Sequence, residues 1–465
     1  MSSEMRIRTI KSQGLAALSY FVSSDEEAMV IDPRRDVEIY RQLAGDDGVD
    51  IVHIFETHRN EDYVTGSLEL QGIFPDARIG HSDQTNFQFG DDTIADSETF
   101  SVGKMKVTCI QTPGHTLDSI CYVVADSSVG PDPILVFTGD TLFVSEVGRT
   151  DLVDKKKHEE MSRKLYNSLH EKLLPQGDGV IVYPGHGAGS VCGGDIADRE
   201  FSTIGYERAN NRWLSMNEEE FVEAKINQEL TLSSYFKHCE HLNTIGPPLV
   251  ADMPEPSELD VEQLSKLIED NSHRAIDIGS SVDFLESHIP GSISLSLTNI
   301  GRLAGLALRP NQTFSIILRT DHDDWTLASA MLHRIGYDHI IGYLKDGLEQ
   351  WVKSGRLTSS IEKLSLDEFG ARQTRGEVIV VDVREPHEYH EECIEHSISV
   401  PLTSIEETDL GFAKDGPITT LCPSGFRSTT AASILKRRGV EDISVSLDGL
   451  KAWKAYDYPL IRTEL

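Results

Sequence analysis

The chain has 465 residues, 39% of them hydrophobic, and carries 76 Asp and Glu against 43 Lys and Arg, a formal net charge of −33. At roughly 150 residues per domain, such a length predicts about three cores rather than one. The acidic excess argues against a nucleic-acid partner, because phosphates must be met by cations, and its simplest account is a solvated acidic surface.

The start, Met1-Ser2-Ser3-Glu4-Met5-Arg6-Ile7-Arg8, has no signal-peptide apolar core, and no run of about 18 uninterrupted apolar residues follows. A soluble, cytoplasmic protein with no membrane partner is expected. The six cysteines, Cys109, Cys121, Cys192, Cys239, Cys393 and Cys422, include no CxxC pair. That predicts reduced thiols rather than a disulfide framework or a structural zinc site.

In chain order, short β-rich runs such as Ala28-Met29-Val30-Ile31-Asp32 and Ser119-Ile120-Cys121-Tyr122-Val123-Val124 alternate with turn signals and helical stretches. Directly after Ile51-Val52-His53-Ile54-Phe55 stands Thr57-His58-Arg59-Asn60-Glu61-Asp62-Tyr63. Thr112-Pro113-Gly114-His115-Thr116, Phe137-Thr138-Gly139-Asp140-Thr141 and Tyr183-Pro184-Gly185-His186-Gly187 follow. A Pro-rich stretch from Thr244 to Pro256 then reads as a linker.

Beyond the linker the chain repeats itself. Asp346-Gly347-Leu348-x-x-Trp351 answers Asp448-Gly449-Leu450-x-x-Trp453, and Asp277-Ile278 answers Asp382-Val383. A period of about one hundred residues is too long for a solenoid unit, so two copies of one small domain are expected. Apolar strands followed by helices predict parallel α/β units. The second copy contains Leu421-Cys422-Pro423-Ser424-Gly425-Phe426-Arg427-Ser428, a cysteine at a strand end followed by a six-residue loop into a helix. Backbone N–H groups and the helix dipole there favour an anion, a thiolate or terminal persulfide, and Arg427 adds a guanidinium.

The first region resembles the metallo-β-lactamase superfamily, whose His-x-His-x-Asp-His signature is matched with Asn60 and Tyr63 in place of two histidines. Two-zinc hydrolysis needs nearly the whole ligand set. The surviving His58, His115 and Asp140 make the two-imidazole, one-carboxylate count that leaves positions open on non-haem Fe(II). This triad resembles that of persulfide dioxygenases, as do Val147-Gly148-Arg149-Thr150-Asp151, His186-Gly187-Ala188-Gly189-Ser190 and Ser202-Thr203-Ile204-Gly205-Tyr206-Glu207. The resemblance implies one Fe(II) per chain on His58, His115 and Asp140. Asn60, Asp62, Tyr63, Arg149, His186 and Tyr206 are then expected around the ligands or the substrate. Cys109 and Cys121 are expected to be core thiols, whereas Cys192, near His186, is a candidate for facing the site.

The second repeat resembles the rhodaneses, which pass sulfane sulfur through a cysteine persulfide. Asp382-Val383-Arg384-Glu385, the Cys422 loop and the Asp448-Gly449-Leu450-x-x-Trp453 ending carry the likeness. It implies Cys422 as sulfur carrier and Arg427, with Arg384, as helpers; Cys-dependent phosphatases share a related but longer loop. In the first copy Arg319 falls opposite Cys422, and Arg319-Thr320-Asp321-His322-Asp323-Asp324 holds no thiol. Without a thiol there is no persulfide, so a structural spacer or interface domain is expected.

The expected fold is thus an α/β multi-domain chain: a metallo-β-lactamase αββα sandwich over 1–245, then two rhodanese-like α/β domains over 257–357 and 362–465. The expected activity is oxidation of a low-molecular-weight thiol persulfide by O2 to sulfite, coupled to sulfane-sulfur transfer through Cys422 that makes or uses thiosulfate. One alternative, fed by Asn60, is a sulfurtransferase with a catalytically degenerate first domain. Another is a glyoxalase II-like thioester hydrolase, for which zinc would replace iron. A homo-oligomer is left open.

Overall fold

Side-chain alternation along the strands builds the N-terminal region in the computed structural model, which describes residues 5–190, 192–228, 230, 232–233, 235–320, 324–414 and 416–463. Residues 1–4, Asp321, His322 and Asp323 of the Arg319 loop, and Glu464 and Leu465 lie outside the described residues. One six-stranded sheet runs neighbour to neighbour from Arg6–Ser12 to Asp92–Ile94, and a second from Thr99–Val102 to Ser202–Thr203. With period two, Tyr20 and Val22 of one sheet and Tyr122 and Val124 of the other enter a shared inner core. Their neighbours Phe21 and Val30 face outward onto Tyr40, Ala44 and Leu70. On the far side Cys121 and Val123 face Leu165, Leu169, Trp213 and Phe221. The result is helix layer, sheet, sheet, helix layer.

The chain divides into two compact units, Met1–Leu232 with Phe236–Met253 and Arg334–Gly336, and Ser233–Tyr235 with Pro254–His333 and Tyr337–Leu465. The second unit holds two five-stranded, all-parallel sheets of the same strand order. In the first copy His273–Asp277 lies between Thr313–Ile317 and Ile293–Ser294; in the second Ile379–Asp382 lies between Ile418–Leu421 and Ile398–Ser399. Among the described residues no helix is long and apolar enough to cross a membrane.

The copies pack on each other through the helix Phe426–Arg437, which follows the Cys422 loop. Thr430 donates to the Ser294 carbonyl at 2.8 Å, and Ser433 Oγ receives the Ser294 N–H at 3.1 Å. Arg437 donates to the carbonyls of Ile268, Gly291, Asp270 and His273 at 3.0–3.3 Å. Arg274 pairs with Glu406 across the same seam. The four carbonyls that face Arg437 thus receive a charged donor, the stronger kind of hydrogen bond.

Candidate metal centre and sulfur-transfer loop

Strand ends supply the first site. His58 follows strand Asp50–Phe55, His115 follows Met105–Gln111, Asp140 follows Leu135–Gly139, and His186 follows Ile181–Pro184. All four are at least 97% buried. The Thr57 hydroxyl donates to Asp32 at 2.7 Å and lies 3.0 Å from His58 Nδ1. A hydroxyl has one proton, so it accepts from Nδ1–H and leaves His58 Nε2 facing inward. His115 Nδ1 donates to the Arg149 carbonyl at 3.0 Å, because a carbonyl only accepts, and its Nε2 turns the same way. Outer partners of this kind orient metal-binding imidazoles.

What those nitrogens face is two carboxylates. His115 Nε2 is 3.5 Å and His58 Nε2 4.0 Å from Asp140 Oδ2. Glu61 stands 3.4 Å from His115 Nε2 and 3.7 Å from His58 Nε2. His58 Nε2, His115 Nε2, Asp140 Oδ2 and Glu61 Oε2 are all buried without a hydrogen-bond partner. Burial works against a charged imidazole, yet the Glu61 and Asp140 carboxylates outweigh it and hold His58 up at about 9. Four buried donors without partners are a costly arrangement that a cation resolves, and imidazole with carboxylate suits a first-row metal ion. The residues present therefore fit a metal.

His186 takes a different place. Its Nδ1 lies 2.8 Å from Asp140 Oδ1 and its Nε2 3.0 Å from Asp62 Oδ2. Burial disfavours its charge, but these two carboxylates raise it well above the ordinary histidine range. With both ring nitrogens donating, it orients Asp140 as an imidazolium. Close approach needs Gly185, where a Cβ would sit 2.5 Å from Asp140 Oδ1. Tyr63 meets the His186 ring edge-on at 6.2 Å.

Several expected neighbours point elsewhere. The Asn60 amide donates to the His58 carbonyl at 3.3 Å, fastening its own loop. Arg149 is buried and grips Asp151 at 2.7 and 2.8 Å, and its carbonyl accepts from the candidate ligand His115. Tyr206 is 38% exposed, with Arg199 over its ring, and stands outside the donor cluster. Cys192 faces the site: its thiol donates to Glu61 Oε1 at 3.2 Å, and burial followed by the Asp62 and Glu61 charges pushes the thiol well up. Sequence reasoning passed over Glu61 and Asp32. The available signals were an acid at a variable position of the histidine motif and an aspartate ending an apolar strand.

The second site is built on Ile418–Leu421. Cys422 is 1% exposed at the strand end. The helix begins at Phe426, earlier than the expected six-residue loop allows, because Gly425 at φ 80° turns the chain directly into it. An added Cβ there would meet the Leu447 carbonyl at 2.7 Å. Leu450 N–H and Lys451 N–H donate to the carbonyls of Cys422 and Pro423 at 2.9 and 3.1 Å, which explains the Asp448-Gly449-Leu450 ending. Arg427 pairs with Glu388 at 2.6 and 2.8 Å, and despite burial holds that carboxyl below its usual range. Arg384 is committed to Asp382 at 2.7–3.1 Å and to the Glu392 carbonyl.

In the first copy the strand register sets Leu318, not the expected Arg319, opposite Cys422, because Ile317 pairs with Asp277 as Leu421 pairs with Asp382; Arg319, one residue further on, pairs with Asp277 at 2.6–2.9 Å. Asp277 corresponds to Asp382, and Gly279 stands where the second copy has Arg384. A Cβ on Gly279 would lie 2.9 Å from the Arg319 side chain. The guanidinium that holds the strand-end aspartate thus comes from the residue after the nucleophile's place, which buried Leu318 fills.

Comparison with known proteins agrees with both halves. The metallo-beta-lactamase superfamily model matches residues 13–186, and the rhodanese-like domain model matches 260–354 and 365–456. The chain belongs to the metallo-β-lactamase superfamily, in a fusion with two C-terminal rhodanese-like domains. It is 29% identical over 211 residues to the mitochondrial persulfide dioxygenase of Bos taurus, covering 44% of this chain and 73% of that protein. It is 30% identical over 196 residues to the cytoplasmic isozyme of hydroxyacylglutathione hydrolase from Saccharomyces cerevisiae, covering 39% and 69%. A metallo-beta-lactamase crystal structure from Staphylococcus aureus subsp. aureus COL superposes with a TM-score of 0.65 at 27% identity, covering 73% of this chain and 98% of that one. Together the domain types support an enzyme of sulfur metabolism.

Proposed function

We propose that the chain oxidises a low-molecular-weight thiol persulfide with O2 to sulfite, and that Cys422 carries sulfane sulfur to or from thiosulfate. The observation that carries the first half is the convergence of buried, partnerless donors from His58, His115 and Asp140. One Fe(II) held there would supply activation of O2 and a Lewis-acid seat for sulfur. Thr57 and the Arg149 carbonyl fix the imidazole tautomers, and His186 holds Asp140 Oδ1, which would leave Oδ2 to hold the ion. Burial excludes bulk water from the reacting sulfur. In the balanced reaction, persulfide, O2 and one water give thiol, sulfite and two protons.

The Cys422 thiolate attacks the outer sulfur of thiosulfate, forming Cys422–S–S⁻ and releasing sulfite; in reverse, sulfite takes that sulfur and thiosulfate leaves. The Arg427–Glu388 pair places a guanidinium near the loop for the anionic donor. Similarity to a persulfide dioxygenase over 44% of the chain supports the oxidation, and the rhodanese-like match over 365–456 supports the transfer.

Asp140→Ala should lose bound iron and O2 uptake on a persulfide while sulfur transfer persists. Unchanged iron content and O2 uptake would reject the assignment. A hydrolase reading keeps one specific observation, a further donor group of Asp62, His186 and Cys192 within 4.8 Å of one another, and a hydrolase relative at 30% identity. Two zinc ions per purified chain, with thioester hydrolysis, would favour it.

A further inference from the structure

We infer that Glu61 is a fourth protein ligand, so that the metal sits among two imidazoles and two carboxylates rather than in a three-residue triad. The inference rests on the His58, His115 and Asp140 reading and goes beyond it. Glu61 is completely buried, occupies a variable position of the histidine motif, and is followed by Asp62, whose side chain turns away to His186. Its own carboxylate turns inward to both imidazole Nε2 atoms, at 3.4 and 3.7 Å.

The spacing suits one ion. Donors about 2.1 Å from a shared metal lie roughly 3.0 Å apart at right angles, 3.4 Å apart at the tetrahedral angle and 4.2 Å apart when opposite. Asp140 Oδ2 lies 3.5 and 4.0 Å from the two Nε2 atoms and Glu61 Oε2 3.7 Å from that of His58, all inside those limits. Hydrogen bonding points the same way. With both Nδ1 atoms donating outward, a cation bound in place of a proton would meet two Nε2 lone pairs and the carboxylate oxygens. Cys192 completes the support by donating to Glu61 Oε1, leaving Oε2 without a partner. The Asn60 amide, at the motif's missing histidine, fastens the loop from which Glu61 projects.

A fourth donor has a functional consequence. Six-coordinate iron with four protein ligands keeps two exchangeable positions instead of three, enough for one sulfur and one O2 and no more.

The test uses ferrous iron and cobalt(II) as probes, with full-length wild type, Glu61→Gln, Glu61→Asp and His58→Ala. Glu61→Gln keeps the shape and removes the charge. It should release metal to a chelator about tenfold faster or more, judging by the 10–100-fold cost of disturbing even outer partners of a site, and should change the cobalt absorption spectrum. Glu61→Asp, whose carboxylate is drawn back by one methylene, should bind metal with a spectrum unlike either, which keeps the test decisive if the Gln variant fails to fold. If both Glu61 variants match wild type in release and spectrum while His58→Ala loses the metal, the Glu61 inference falls and the triad stands. If His58→Ala also binds normally, the whole site assignment falls.

Discussion

At the residue scale, the proposed function divides the chemistry between a thiol at position 422 and two imidazoles at 58 and 115. Cys422 closes a buried strand, with Leu450 and Lys451 holding the loop carbonyls behind it, so a serine there would preserve the loop and remove the sulfur nucleophile. Cys422→Ser should therefore abolish transfer from thiosulfate and shift the persulfide product from thiosulfate toward sulfite, with O2 uptake largely retained. Intact-mass measurement after thiosulfate should find one added sulfur on wild type and none on the variant. An adduct on Cys192 in both proteins would name a different carrier.

Elements explain why the first rhodanese copy persists without a thiol. Its strand His273–Asp277 ends in an aspartate that is 1% exposed and held by Arg319. Removing one partner of a buried ion pair leaves an uncompensated charge, a loss of roughly 3–5 kcal/mol. Arg319→Ala should lower stability by about that much, measured by urea unfolding, and adding Gly279→Arg should recover most of it by restoring the second copy's arrangement. No recovery would mean that the two positions are not exchangeable. The same copy offers its carbonyls to Arg437 on the helix that follows Cys422. Those bonds seat that helix.

For the molecule as a whole, acid sensitivity should centre on the first rhodanese copy. Burial, followed by the nearby Arg437 charge, lowers His273 to about 4. His288, stacked flat on Phe284 at 4.0 Å, is lowered to about 4 by burial, with Arg319 adding to it and the Phe284 carbonyl opposing it. Both folded values lie below the unfolded 6.5, so the unfolded chain binds more protons between about pH 4 and 6.5, and stability falls as pH drops through that window. Each histidine accounts for roughly 3 kcal/mol over the whole window. In urea melts at pH 7 and pH 5, His288→Gln should show a smaller acid loss than wild type. Parallel losses would rule His288 out. Melting is expected to be multi-step, since several cores share one chain.

Repeated motifs by themselves determined two copies of one domain and a first copy without a cysteine, and the resemblance carried by the His58, His115 and Asp140 motifs implied the sandwich. Strand alternation and strand-to-loop punctuation are local properties, and His58, His115, Asp140 and Cys422 sit at strand ends that such patterns mark. Local pattern does not set the direction of a side chain. Only the tertiary structure turned Glu61 inward and Asn60 onto its own backbone. It also bound Arg149 to Asp151 and let Gly425 start the helix at Phe426. The Asn60 and Arg149 contacts are local, two residues apart, whereas the others depend on partners far away in sequence: Asp140 across from Glu61, Asp32 behind Thr57, Leu447 against Gly425. Burial charges each polar atom for a missing partner, so the fold, by deciding which partners meet, decided which residues face the site.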